Sequence, residues 1–342
     1  MSSDTNQIQA LQALRGLAAL SVFLFHLVPY CEVAGTTVFP EFLLRWGYAG
    51  VDVFFVLSGF VLALSGYKQG SGYLSAQHFY RRRLSRIYSG YWPFFFVMLL
   101  VNFVFDFQRR IDDNFLGSFF LFETDVQHLT LGVSWSLTFE LYFYFLFGLG
   151  FFLSARTMLK LCGAYAALII LVQYVTPIEA IRSHFLLSPY LLEFFLGCGL
   201  GLLYRERALL QLRVIAWLAF PLFFFLGSSL RNQPPSQIPT TSVVTFGLGG
   251  GALMIALMGL EKIWESALGR LLIKLGDASY TLYLCHIIFI DVFHQLGFFY
   301  WLSALPAGLP DIGVIVFIVS VCLFSAVFFR LIELPLFRKL AG

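Results

Sequence analysis

About ten long apolar segments, each close to the roughly 20 residues that a helix needs to cross a bilayer, dominate the pattern of hydrophobic and polar positions along the chain. They run approximately over residues 11–30, 48–67, 88–106, 129–152, 159–176, 186–204, 212–229, 240–260, 278–297 and 312–332. Apolar residues follow one another continuously within them, whereas strands of a membrane barrel alternate apolar and polar positions. The pattern therefore predicts an all-α polytopic membrane protein with about ten transmembrane helices.

Composition indicates the same class of protein. Hydrophobic residues make up 59% of the 342 residues and charged residues 12%, which leaves too little polar surface to cover a soluble globule. We therefore expect a multi-pass protein of the plasma (inner) membrane, with membrane lipid as a partner. Because no repeat, linker or soluble segment interrupts the spans, residues 1–342 are expected to form a single transmembrane domain with no appended soluble domain.

Basic residues predict the orientation, because cytoplasmic loops of membrane proteins are enriched in Lys and Arg. If the N-terminus is cytoplasmic, most of the 22 Lys and Arg residues fall on the inner side of the predicted spans. The predicted outer loops contain Arg45, Arg109, Arg110, Arg182 and Arg231. An even number of spans then places both termini in the cytoplasm. Since topology accounts for the net charge of +3, no nucleic-acid partner is predicted.

Cysteine and glycine positions indicate packing rather than chemistry. The cysteines are odd in number and lack the spacing of metal ligands, so no metal is predicted. They are Cys31, Cys162, Cys198, Cys285 and Cys322. Glycines cluster at 197–201 and 247–251, and small residues of this kind let transmembrane helices approach one another closely.

Ionisable side chains inside the spans are the first functional candidates, because each costs a few kcal/mol in the hydrocarbon region. They are Arg15, His26, Asp52, Glu140, Glu193, His286 and Asp291. Glu193 has no motif around it. His286 and Asp291, in the ninth span, either complete a polar cavity or are packing residues whose hydrogen bonds are satisfied.

Arg15 and His26 share one helix face. His26 follows Arg15 by eleven positions, which is three helical turns plus about 20°, and the two side chains are then roughly 16 Å apart along the axis. Arg15 is therefore expected near the inner boundary and His26 near or beyond the midplane. Arg15 could instead reach the headgroups, and His26 could hydrogen-bond to another helix. The shared face favours a functional pair.

Two carboxyl groups have alternative interpretations. Glu140 is expected near the midplane of the fourth span, either as a neutral carboxyl bonded to a Ser or Tyr or as the group that orients His26 as a general base. Asp52 lies near the outer start of the second span. It could cap that helix, because the helix dipole favours a carboxylate there.

The basic run 81–86 contains a pair of arginines with the spacing of a phosphate site. Arg83 and Arg86 are three positions apart and share a helix face, where two guanidinium groups suit phosphate oxygens. A coenzyme A thioester or an anionic lipid would fit this pair of arginines. The run is also explained by topology alone.

Short motifs spread over nearly the whole chain carry a family resemblance. They are Leu14-Arg15-Gly16 through His26, Gly50-Val51-Asp52 through Ser58-Gly59-Phe60, Arg83-Leu84-Ser85-Arg86, Trp135-Ser136-Leu137 with Glu140, Ser279-Tyr280 through His286, and Glu333-Leu334-Pro335. Together they resemble the membrane-bound acyltransferase 3 family, whose bacterial members O-acylate surface polysaccharides. One departure is that members often carry Pro shortly after the second Arg of the loop motif, where this chain has Ser89-Gly90.

The resemblance implies an acyl-CoA donor, chiefly acetyl-CoA, on the cytoplasmic side and a hydroxyl of a cell-surface or lipid-linked saccharide as acceptor. Arg83 and Arg86 would bind donor phosphates, and Arg15 the pantetheine or thioester region. His26, oriented by Glu140, would remove the acceptor's proton. Supporting roles are expected for Asp52, Ser58, Trp135, Ser136, Tyr280 and His286.

A second function class uses the same side chains. A proton-coupled transporter of an anionic solute could pass protons through the buried His and Glu and select its solute with the arginines. A scaffold protein is a weaker alternative, because a scaffold has no need for costly buried charges. The pattern leaves open the oligomeric state and whether the acyl group first rests on the protein.

Overall fold

The structure, a computed structural model, describes residues 2–36, 46–66, 72–105, 114–123, 125–175, 185–205, 209–230 and 240–342. These residues form helices and connecting turns, and no strand occurs among them. The helices are α1 (Ser2–Val33), α2 (Gly50–Gly66), α3 (Tyr73–Phe105), α4 (Phe115–Phe120), α5 (Trp135–Leu149), α6 (Ala155–Val175), α7 (Tyr190–Arg205), α8 (Arg213–Leu230), α9 (Thr240–Met258), α10 (Glu261–Trp264), α11 (Ala267–Asp277), α12 (Ser279–Gln295), α13 (Phe298–Ser303), α14 (Leu309–Phe328) and α15 (Leu334–Ala341). Turns of 3-10 helix lie at Gly47–Ala49, Val126–His128, Gly132–Ser134, Gly150–Phe152, Phe185–Leu187 and Leu209–Leu212, and a π-helical turn lies at Phe329–Glu333.

The predicted class, a helical membrane protein, is confirmed. Among the described residues, eight helices are long and apolar enough to cross a membrane, or nine if α11 and α12, bent by 75°, form one span. The predicted span 186–204 corresponds to α7, which has 16 residues and is shorter than the about 20 of a full crossing. The count of ten and the side of the termini stay predictions. All five arginines assigned to outer loops, and Lys68 and Arg207 on the inner side, lie outside the described residues.

Helix α3 continues through the point where the chain departs from the family motif. It runs without a break past Ser89 and Gly90. A side chain at Gly90 would clash with the ring of Tyr280, so the glycine is needed for close packing here. The departure from the motif therefore does not interrupt this helix.

The chain divides into two compact units. The first unit comprises Met1–Leu14, Val51–Arg83 and Phe139–Arg270, and the second comprises Arg15–Gly50, Leu84–Thr138 and Leu271–Gly342.

Close helix contacts hold the first unit together. A side chain at Gly197 of α7 would clash with the carbonyl of Val56 on α2, and one at Gly59 with the carbonyl of Phe194. At Gly250 of α9 an added Cβ would lie 3.2 Å from Val53. The predicted close approach of helices at the glycine clusters is thus confirmed, because α2, α7 and α9 meet through backbone atoms.

In the second unit, α1 packs against α11 and α12. A Cβ at Gly16 would lie 2.7 Å from the carbonyl oxygen of Leu272 and 2.9 Å from the amide nitrogen of Gly276. Further along α1, the ring of Phe23 contacts His286 of α12 and Phe317 of α14, with centroids 5.7 and 6.2 Å away. This packing brings the polar residues of α1 to those of α12.

Candidate active site

Two histidines of the second unit form a hydrogen-bonded pair, called here the histidine pair. Nε2 of His286 lies 3.2 Å from Nδ1 of His26. Nδ1 of His26 is also 3.0 Å from the carbonyl oxygen of Val22, and Nδ1 of His286 is 3.1 Å from that of Leu282. His286 is fully buried, while His26 is half-buried.

For two neutral rings, these contacts decide which nitrogen carries the hydrogen. A carbonyl oxygen only accepts, so Nδ1 of His286 donates to Leu282 and its Nε2 keeps a lone pair. Nδ1 of His26 then faces two acceptors, the Val22 carbonyl and Nε2 of His286, and must carry the hydrogen. The nitrogen of His26 that can accept a proton is therefore Nε2.

Ser136 and Tyr283 connect the start of α5 to α12 beside the histidine pair. The Tyr283 hydroxyl donates to the carbonyl oxygen of Val133 at 2.8 Å, and Oγ of Ser136 lies 2.8 Å from the same hydroxyl. The Tyr283 ring in turn lies 6.1 Å from the His286 ring, centroid to centroid. Tyr283 therefore links Ser136, through a hydrogen bond, to His286, through a ring contact.

A second polar group of this unit, called here the arginine cluster, consists of Arg15, Arg86, Asp277, Arg330 and Glu333. Arg86 forms an ion pair with the fully buried Glu333. Asp277 interacts electrostatically with all three arginines. These five side chains carry one positive charge in excess, which suits an anionic group.

Two residues of α12 hold Arg86 and Glu333 in place. Thr281 donates a hydrogen bond to the second carboxylate oxygen of Glu333. The Arg86 guanidinium lies over the ring of Tyr280, 5.4 Å from the centroid, and the Tyr280 hydroxyl donates to the carbonyl of Ile87 at 2.8 Å. With part of its guanidinium committed to Glu333, Arg86 can offer only its remaining N–H groups to a phosphate.

Glu140 lies in a polar cluster of the first unit. Oε1 of Glu140 accepts hydrogen bonds from Ser58 Oγ, at 3.1 Å, and from the Tyr144 hydroxyl. Arg83 lies over the Tyr144 ring, 5.6 Å from its centroid, and donates to Ser65 Oγ at 3.1 Å. The hydrogen bonds match the interpretation of Glu140 as a carboxyl bonded to Ser and Tyr, and Arg83 places a positive charge beside that network.

Asp52 pairs with Glu193, a residue with no sequence motif around it. It lies in the first turn of α2, is buried, and interacts electrostatically with the buried carboxyl of Glu193 on α7. Gly247 of α9 packs directly against Glu193. Asp52 is thus more than a helix cap, since it belongs to an acidic pair inside the first unit.

Comparison with protein families decides the class of the protein. A family model described as an acyltransferase domain, that of acyltransferase 3, matches residues 8–330. The chain belongs to the acyltransferase 3 family. The matched range includes every residue of the histidine pair and the arginine cluster except Glu333. This protein is therefore an acyltransferase built of membrane-spanning helices.

Two curated relatives match the acyltransferase over most of their length. Acyltransferase MdmB of Streptomyces mycarofaciens is 29% identical over 324 residues, which cover 85% of this chain and 81% of the relative. Exopolysaccharide production protein ExoZ of Rhizobium meliloti (strain 1021) is 26% identical over 310 residues, which cover 86% of this chain and 90% of the relative. No solved structure matches this acyltransferase.

The predicted site residues of the acyltransferase fall into both units. The second unit contains Arg15, His26, Arg86, Trp135, Ser136, Tyr280 and His286, and the first contains Asp52, Ser58, Arg83 and Glu140. Trp135 is half-buried at the start of α5. The described hydrogen bonds of His26 go to Val22 and His286, and those of Glu140 to Ser58 and Tyr144. The orientation of His26 by Glu140 would join different units and stays a prediction.

Several polar side chains that contact the predicted site residues of the acyltransferase are not predicted by the sequence pattern. The sequence pattern assigns no role to Asp277, Thr281, Tyr283 or Tyr144, and it includes Glu333 only as part of a motif. A signal was present for the two acids, because each directly borders an apolar span where a carboxylate is costly. Among the described residues, no group of at least three His, Cys, Asp or Glu side chains could hold a metal ion.

Proposed function

We propose that this enzyme transfers an acetyl group from cytoplasmic acetyl-CoA to a hydroxyl of a cell-surface or lipid-linked saccharide. Family membership supports acyl transfer, and the name of the relative ExoZ, an exopolysaccharide production protein, supports a saccharide acceptor. The observation that carries the mechanism is the histidine pair, whose contacts leave Nε2 of His26 as the proton-accepting nitrogen.

His26 is the proposed general base. Its Nε2 takes the proton of the acceptor hydroxyl while that oxygen attacks the thioester carbonyl, as general-base catalysis requires. A carbon–oxygen bond forms, the carbon–sulfur bond breaks, and the proton passes from His26 to the leaving sulfur to give free CoA. No oxidant or other co-reactant is needed for this balance.

His286 and Val22 stabilise the charged form of His26 in this scheme. When Nε2 takes a proton, Nδ1–H of the imidazolium still donates to the His286 nitrogen and the Val22 carbonyl. Hydrogen bonds to charged groups are worth about 1.5 to 3 kcal/mol, and Coulombic attraction is strong in a low-dielectric interior. The neutral His286 thus takes the orienting place that a carboxylate occupies in many catalytic triads.

The arginines are the proposed donor site. Arg83 and Arg86 bind donor phosphates, and Arg15, within the arginine cluster, binds the pantetheine or thioester region. The excess positive charge of the cluster supports this assignment. Glu140 helps to orient His26, with Ser58 and Tyr144 holding its carboxylate. Supporting roles are assigned to Asp52, Trp135, Ser136 and Tyr280.

Reconstituted full-length enzyme tests the proposal. With acetyl-CoA and exopolysaccharide repeat units as acceptor, it is expected to release CoA thiol and to add an acetyl group detectable by mass spectrometry of the saccharide. His26→Ala should remove both signals by at least about 100-fold while the melting temperature is kept.

His294→Ala is the matched control, because His294 lies on the same helix as His286 and has no role in the scheme. Full activity of the His26 variant would overturn the mechanism. Solute counterflow without CoA release would instead favour a transporter.

A further inference from the structure

An apolar groove of about 810 Å³ lies in the first unit between α5, α6 and α7. Its walls are mainly aromatic and aliphatic, with Phe143, Phe147, Phe195, Leu202 and Met158 among them. Arg205 is the charged residue that lines it. The volume is in the range of about 300 to 1,000 Å³ that small-molecule sites occupy, so the groove can take a ligand larger than a water cluster.

Helix α6 buries few of its side chains, and the groove is open sideways along it. Among its described side chains only Ile169 is fully buried, while Leu159 and Leu161 are 58% and 52% exposed. In a membrane-spanning helix, exposed apolar side chains face lipid. The groove is therefore accessible from the bilayer.

Polarity differs between the two ends of the groove. At one end, Tyr142 and Tyr165 share a hydrogen bond of 2.9 Å, and Tyr165 donates to the carbonyl of Leu186, so these hydroxyls are satisfied by the protein. At the other end lies Arg205, the last residue of α7, which is exposed. A ligand with a long apolar part and an anionic group near Arg205 would match both ends of the groove.

We propose that this groove binds an anionic glycerophospholipid, with its acyl chains along the apolar walls and its phosphate on Arg205. A guanidinium forms charge-assisted, bidentate hydrogen bonds with phosphate, and the sideways opening admits a lipid from the bilayer. A water-soluble solute would gain little from walls that offer so few polar partners. This site is separate from the proposed chemistry and does not depend on it.

Gly199 of α7 is a position at which a large side chain can fill the groove. It lines the groove, and a Cβ there would meet no atom within 4 Å, in contrast to Gly197 and Gly201, which touch α2. A phenylalanine at Gly199 would therefore occupy the groove without displacing backbone. Gly163 of α6 also meets no atom within 4 Å but is not one of the residues that line the groove, so Gly163→Phe is the matched control.

Native mass spectrometry of the purified full chain, titrated with phosphatidylglycerol or with phosphatidylcholine of the same chains, tests the proposal. Wild type should bind phosphatidylglycerol more tightly. Arg205→Ala should weaken phosphatidylglycerol about fivefold and remove the headgroup preference. Gly199→Phe should weaken both lipids at least about tenfold, and Gly163→Phe should change neither.

Four outcomes would overturn the proposal. Unchanged phosphatidylglycerol binding in Gly199→Phe would mean that lipid binds elsewhere, and a headgroup preference that survives Arg205→Ala would remove the role of the arginine. Palmitoyl-CoA that binds wild type but not Gly199→Phe, with no phosphatidylglycerol bound to either, would assign the groove to a donor acyl chain. A dimer that only Gly199→Phe disrupts would assign it to a second copy of the chain.

Discussion

His286 presents an unprotonated Nε2 to the Nδ1–H of His26 at 3.2 Å, with its own Nδ1 held by the carbonyl of Leu282. The backbone of α12 thereby decides the tautomer of a ring on α1. A histidine held in this way is ready to accept a proton on Nε2 before any substrate arrives. In the described contacts this ring is therefore held by another histidine and a backbone carbonyl.

Replacement of His286 by alanine should lower kcat about 10- to 100-fold, since one hydrogen bond to the charged form of His26 is lost. KM for acetyl-CoA should change little, because His286 does not touch the donor in the scheme. His286→Gln, whose side-chain oxygen can accept from His26, should recover part of kcat. Steady-state kinetics of CoA release check both.

A purely structural role for His286 predicts a different pattern. The alanine and glutamine variants would then lose melting temperature in parallel with activity, and kcat per folded molecule would stay near wild type. His294→Ala, on the same helix, should be close to wild type in both measurements.

Helical phase was enough to predict that Arg15 and His26 share a face, because both lie on one continuous helix, α1. It could not predict the partners, since these come from distant segments. His286 is 260 positions from His26, and Glu333 is 247 positions from Arg86. Packing of separate helices chooses among several polar residues at similar depth, and a pattern along one segment does not contain that choice.

Segments whose length is close to that of a full membrane crossing, and residues near the ends of spans, were also hard to predict. The apolar stretch 186–204 has nearly the length of a full span, yet α7 begins at Tyr190 and has 16 residues. Glu193 looked isolated because its partner Asp52 lies on another helix. The π-helical turn Phe329–Glu333, which contains Glu333, has no sequence pattern that distinguishes it from the helices on either side.

Breaking the buried ion pair should destabilise the protein. Arg86→Met leaves the buried carboxylate of Glu333 without its ion-pair partner, which costs on the order of 2 to 4 kcal/mol, at the lower end because Arg86 is partly exposed. The double variant Arg86→Met, Glu333→Met should recover most of this loss, because it removes both charges. Thermal unfolding in detergent measures both, and a double variant less stable than the single one would contradict the argument.

Arg83→Ala should raise KM for acetyl-CoA about tenfold, as the loss of a charge-assisted hydrogen bond to phosphate does. The effect should disappear with acetyl-pantetheine, a donor that lacks the nucleotide phosphates. Arg82→Ala is the matched control, since Arg82 is an exposed neighbour on the same helix. An equal effect on both donors would show that Arg83 acts through its contacts with Ser65 and Tyr144 instead.

Glu140→Gln separates charge from hydrogen bonding at one position. The side-chain oxygen of glutamine can accept from Ser58 and Tyr144 as Oε1 of Glu140 does, so the fold and the melting temperature should be retained. If the carboxylate helps to orient and stabilise His26, kcat should fall about 100-fold. Ser58→Ala, which removes one hydrogen bond and keeps the charge, should cost only about 1 kcal/mol of stability and leave most of kcat. A Glu140→Gln enzyme with full kcat would make Glu140 a structural residue and would leave His286 as the partner that prepares His26.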